Sequence, residues 1–176
     1  MMAANGDATE TESAIEETSA YITQHPTPSQ THVPSAAKWL GALGAIPFVS
    51  LAVADYFLEG PFQEQVSFAL AAYGAVILSF LGGIHWGLAI AGFGTTQSDS
   101  ASFRRLTFSV TPSLIGWGAL FLPKAPGLWL LAVAFLWLLV FDSQASRKAE
   151  APAWYPRLRW PLTVVVLASL MLGALA

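Results

Sequence analysis

No cysteine occurs among the 176 residues, which excludes disulfides, thiolate nucleophiles, zinc knuckles, iron–sulfur clusters and thioether-linked haem. Charge is scarce as well. Asp, Glu, Lys and Arg make up 11% of the chain, less than half the roughly 25% of an average soluble domain. A chain so poor in charge cannot cover a water-facing surface, so an ordinary soluble globular domain is ruled out. Eight Lys and Arg are too few for the basic footprint of a nucleic-acid binder.

What is present is apolar: 55% of the residues are hydrophobic and seven are Trp. The charges divide unevenly along the chain. Residues 1–35 hold five acids (Asp7, Glu10, Glu12, Glu16, Glu17) and no Lys or Arg, whereas residues 36–176 hold eight bases and six acids. The first segment is rich in Thr, Ser, Ala and Pro with little large apolar side chain, and such a composition predicts a disordered acidic tail over 1–35. It lacks the basic and apolar regions of a secretory signal and the Arg-rich, acid-poor character of a mitochondrial presequence.

Over 36–176 the uncharged runs are 39–54, 65–98, 106–123, 125–141 and 160–176. A bilayer core of about 30 Å takes about 20 helical residues. With the end of the second run, Ala91-Gly-Phe-Gly-Thr-Thr-Gln-Ser98, read as loop, the spans fall at 37–57, 66–90, 106–123, 127–142 and 158–175. The fold class expected is therefore all-α, one polytopic domain of five transmembrane helices. The run Leu128–Phe141 has no polar face, which amphipathic helices in water require. Trp39, Trp117, Trp129, Trp154, Tyr155 and Trp160 lie near span ends, as an interfacial aromatic belt does.

Orientation follows from Lys and Arg in short loops. Lys38, Arg104, Arg105, Arg147, Lys148, Arg157 and Arg159 fall on the N-terminal side, and Lys124 alone on the other. The N-terminus is expected in the cytoplasm and the C-terminus outside. The basic pairs Arg104-Arg105 and Arg147-Lys148, with Arg157-Leu-Arg159, would hold this topology against anionic headgroups.

The second span carries the densest signal. Ser79, Gly83 and Gly87 stand four apart, a small-residue surface on which another helix backbone can approach closely, and Gly82 widens it. His85 lies five residues from the span's end, and an ionisable group inside a bilayer is costly enough to suggest function. At similar depth the third span offers Thr111, Pro112 and Ser113, where Pro112 frees the carbonyl of Phe108. Asp142 closes the fourth span nearby and would fix the imidazole tautomer. Two readings stand side by side: a structural interhelical hydrogen bond, or a group that handles protons or ligand. Asp55 and Tyr56, at the opposite side, read as a solvated helix end.

Other chemistries lack their residues. A bis-histidine haem needs a second intramembrane His, and His25 and His32 lie in the tail. No paired carboxylates sit within a span, and no Gly-x-Ser-x-Gly motif accompanies Ser79 or Ser113. No catalytic residue, metal site or cofactor is expected.

Gly44-Ala-Ile-Pro-Phe48, Tyr73-Gly-Ala-Val-Ile-Leu-Ser-Phe-Leu-Gly-Gly-Ile-His-Trp-Gly87, Pro112-Ser-Leu-Ile-Gly-Trp117 and Trp154-Tyr-Pro-Arg-Leu-Arg159 together resemble the transmembrane protein 69-like family. This is a domain of unknown function shared by proteobacterial membrane proteins and a mitochondrial relative. The resemblance covers about residues 38–172 and implies a five-helix inner-membrane protein without assigned activity. It implies Gly83, His85, Trp86, Asp142 and Arg159 as candidate functional positions. The functional expectation is a non-enzymatic interaction or assembly factor of the bacterial inner membrane. Its partners would be the lipid bilayer and either another membrane protein or a second copy. The alternatives are a small proton-coupled carrier using His85, and a haem-, quinone- or lipid-binding protein.

Overall fold

Helix signals and stop signals alternate along the chain, and the computed structural model follows them, describing residues 32–90, 99–147 and 154–176. Five helices result: α1 (Ser35–Phe57), α2 (Pro61–Ile90), α3 (Asp99–Ala119), α4 (Lys124–Arg147) and α5 (Tyr155–Leu175). Most of the expected acidic tail, the expected loop at 91–98 and Lys148 lie outside the described residues.

Local chemistry sets the helix ends. After α1 the backbone turns extended at Leu58 (φ −92°, ψ 153°). Gly60 then takes φ +71°, a conformation that costs glycine no steric clash, and Pro61 opens α2 with φ already fixed. The backbone tightens over Leu120–Leu122, whose N–H groups donate to Trp117, Gly118 and Ala119 at 3.2 Å. It turns at Pro123 into α4, so α3 ends earlier than an uncharged run to 123 suggests. Pro156 sits in the first turn of α5, where its missing N–H costs no helix bond.

The bundle is apolar outside as well as inside. Leu40, Ile46, Phe80, Leu114, Val133 and Val164 all lie on the exposed surface, an arrangement water does not tolerate and lipid does. Four helices are long and apolar enough to cross a membrane: α1, α2, α4 and α5. The helix α3 begins with Asp99 and carries Arg104 and Arg105 before its apolar part. It nevertheless runs antiparallel along α2 through the same layer. A Cβ on Gly82 would collide with the Ser109 carbonyl oxygen, and one on Gly116 would lie 3.1 Å from the Ala75 Cα. The chain is a polytopic all-α membrane protein.

Its core gathers on α2 and α4, where Leu70, Leu78, Leu128, Leu131 and Leu138 are fully buried together with Phe48 of α1 and Leu170 of α5. Pro47 interrupts the ladder of α1. There the Tyr73 hydroxyl of α2 donates to the Gly44 carbonyl at 2.9 Å.

Candidate functional site

Helical spacing and antiparallel packing bring three ionisable residues from three helices to one end of the bundle. Asp142 of α4 is wholly buried, and His85 of α2 and Arg159 of α5 nearly so. His85 Nε2 lies 2.6 Å from Asp142 Oδ1, and Arg159 Nε donates to Asp142 Oδ2 at 2.8 Å. An ionised carboxylate only accepts, so it is the Nε2 nitrogen of His85 that carries the proton in this pair. Asp142 and Arg159 cancel in charge. With a neutral imidazole the triad is electrically neutral, the form a low-dielectric interior favours.

An aromatic ladder flanks the triad. The Phe141 ring, one residue before Asp142, meets the His85 ring edge-on at 4.9 Å and stacks on Phe108 at 5.3 Å. Phe108 in turn stacks on Trp137 at 5.6 Å. These rings separate the polar atoms from hydrocarbon on the α3 side.

The partner of His85 is thus Asp142 rather than the polar notch on α3. Thr111 turns its hydroxyl back to the Thr107 carbonyl at 3.1 Å, and Pro112 packs its ring against Gly82. Of Gly82, Gly83 and Gly87 on α2, Gly82 is the one that meets another helix among the described residues. Ser79 donates to the Ala75 carbonyl of its own helix at 2.8 Å, and among the described residues a Cβ on Gly83 or Gly87 would meet nothing within 4 Å. Trp86 points outward beside them and is exposed.

A second cluster, unsignalled by the sequence reading, occupies the opposite end. Asp55 of α1 is fully buried instead of solvated. It receives the Ser67 hydroxyl of α2, and Lys124 Nζ of α4 sits 3.2 Å and 3.0 Å from its two oxygens. Gln63 Nε2 donates to its backbone carbonyl at 3.1 Å. The lone cation of that side is the counter-ion of a carboxylate at the end of a different span, a choice that charge alone does not make, because Glu59 and Glu64 lie on the same side.

Besides Asp55 Oδ2, which Lys124 approaches as an ion, three buried side-chain atoms among the described residues have no hydrogen-bond partner: Tyr155 Oη, Arg159 Nη2 and Thr163 Oγ1. They stand four residues apart on one face of α5. Each such orphan costs about 1–3 kcal/mol. Tyr155 and Arg159 close one end of a groove of about 470 Å³ between α1, α2 and α5, whose wall is otherwise almost wholly apolar.

Residues 33–175 match the family described as "Protein of unknown function (DUF3429)". Transmembrane protein 69 of Xenopus tropicalis is 37% identical over 139 residues, and Transmembrane protein 69 of Mus musculus 24% identical over 136 residues. The matched stretches take in 78% and 77% of this chain but 53% and 54% of the relatives. The chain therefore spans about half the length of the curated relatives it matches. No solved structure matches it.

Proposed function

The chain belongs to the DUF3429 family of proteins of unknown function, and within that frame we propose a non-enzymatic interaction or assembly factor of the bacterial inner membrane. The observation that carries this reading is the two-sided use of α2. One side of its inner half is closed by the His85–Asp142 pair and by Gly82 against α3. The other side, at Gly83 and Gly87, meets none of the described residues, and in lipid helices associate through close backbone approach rather than through a hydrophobic drive. A transmembrane helix of a partner protein fits that face. The seven-to-one distribution of Lys and Arg supports a cytoplasmic start of α1 and an external end of α5.

The buried His85–Asp142 pair favours a second reading, a small proton-coupled carrier in which His85 titrates. One paired experiment separates the two. In cells carrying the tagged full chain, Gly83→Leu is expected to abolish co-purification of a membrane partner from mild detergent, while His85→Ala retains it. Recovery of a lone monomer from crosslinked membranes overturns the interaction reading. Proton or solute flux in liposomes that His85→Ala removes and Gly83→Ala retains establishes the carrier.

A further inference from the structure

We infer that the groove between α1, α2 and α5 seats one acyl chain of an anionic diacyl phospholipid, whose headgroup phosphate is held by Lys38 and Arg157. Length matches one leaflet. On α1 the wall runs from Ala37 to Phe48, roughly 16 Å of helix, close to half of a bilayer core of about 30 Å. The cavity measures about 470 Å³ and its wall is almost wholly apolar. A void against hydrocarbon forfeits the dispersion contacts of its lining, so an acyl chain fills it. Leu40 and Phe80 line the groove and are 69% and 65% exposed, so it opens sideways to the bilayer. The same large side chains hold another helix backbone at a distance, and helix association in lipid depends on close backbone approach. A flexible chain slips between them.

Charge selects the lipid. A Cβ on Gly41 would meet Leu158 and Leu162 of α5, so Lys38, one turn before Gly41, and Arg157, one residue before Leu158, fall at one level. Both are exposed, and each adjoins a residue of the groove wall, Ala37 or Leu158. Trp39 and Trp160 are exposed at the same level, as aromatic side chains at the headgroup boundary are. The groove therefore opens at headgroup depth beside two cations, which favour an anionic headgroup over a zwitterionic one. Arg159 takes no part, because its charge is already matched by Asp142.

The test titrates the full chain in mild detergent with phosphatidylglycerol, or with phosphatidylcholine of the same acyl chains, and counts bound lipid by native mass spectrometry. One saturable phosphatidylglycerol per chain is expected, at concentrations where phosphatidylcholine is not retained. Lys38→Gln and Arg157→Gln should each weaken that binding about fivefold, the worth of one charge at a membrane surface. Arg147→Gln, on an exposed residue of α4 that adjoins no part of the groove wall, should leave it unchanged. Ala45→Phe, which fills the groove, should prevent binding; if that variant does not fold, the charge variants and the choice between the two lipids decide. Equal retention of the two lipids, no saturable lipid at all, undiminished binding in a folded Ala45→Phe, or a loss in Arg147→Gln as large as in Lys38→Gln each overturns the inference. So does a two-chain mass that Ala45→Phe returns to one chain, which would assign the groove to a second copy.

Discussion

Asp142 directs each of its two oxygens to a different helix, one toward His85 of α2 and the other toward Arg159 of α5. Removing the carboxylate leaves a guanidinium buried without its counter-ion, a change that costs about 3–5 kcal/mol. Asp142→Asn is therefore expected to lower the midpoint of unfolding in detergent sharply. Asp142→Leu combined with Arg159→Met should recover most of that loss, because a buried ion pair exchanged for apolar side chains of similar size is often neutral. A double variant no more stable than Asp142→Asn would show that the triad does more than balance charge. At this scale the sequence made depth legible and direction illegible. Counting residues places His85, Pro112 and Asp142 in one layer, yet which of them His85 meets depends on how each helix is rotated about its axis. Packing against neighbours sets that rotation. For the same reason Asp55 reads as a solvated end: its partner Lys124 arrives from a helix 69 residues further on.

Each helix can be judged by what its small residues touch. On α2 the neighbouring glycines 82 and 83 make an internal control. A methyl at Gly82 collides with the backbone oxygen of Ser109 and crowds Pro112, whereas a methyl at Gly83 meets open space. Gly82→Ala should thus destabilise the purified chain. Gly83→Ala should leave it unchanged or raise its stability by up to about 1 kcal/mol through helix propensity. Thermal unfolding of the two variants in the same detergent checks this. Equal loss in both would mean that α3 does not approach at Gly82. The helices themselves were legible as uncharged runs, because a helix in lipid must be apolar on every face. The buried stripe of α5 was less so. Tyr155, Arg159 and Thr163 recur every four residues, but on a helix with no polar face to contrast, such spacing stands out only once burial is known.

For the whole molecule, the proposed five crossings would place the two ends on opposite sides of the membrane. A fluorescent reporter ahead of Met1 should mature in the cytoplasm, and alkaline phosphatase fused after Ala176 should be active outside. Both reporters active in one compartment would refute the five-span threading. The helices on which that threading rests were readable as uncharged runs, whereas the groove was not. A cavity is the space left by three helices, and no single segment encodes it.

The two ionic clusters sit at opposite rims, and α4 supplies a charged member to each, Lys124 to Asp55 and Asp142 to His85. A chain holding only α1, α2 and α3 keeps the Ser67 hydroxyl on Asp55 but lacks the charged partners of both Asp55 and His85. Arrival of the fourth helix secures both rims at once, and Arg159 completes the one at His85. A chain halted before that point therefore carries one ionisable group at each rim that lacks its ion partner, and the fourth helix is the element on which both ends of the bundle depend.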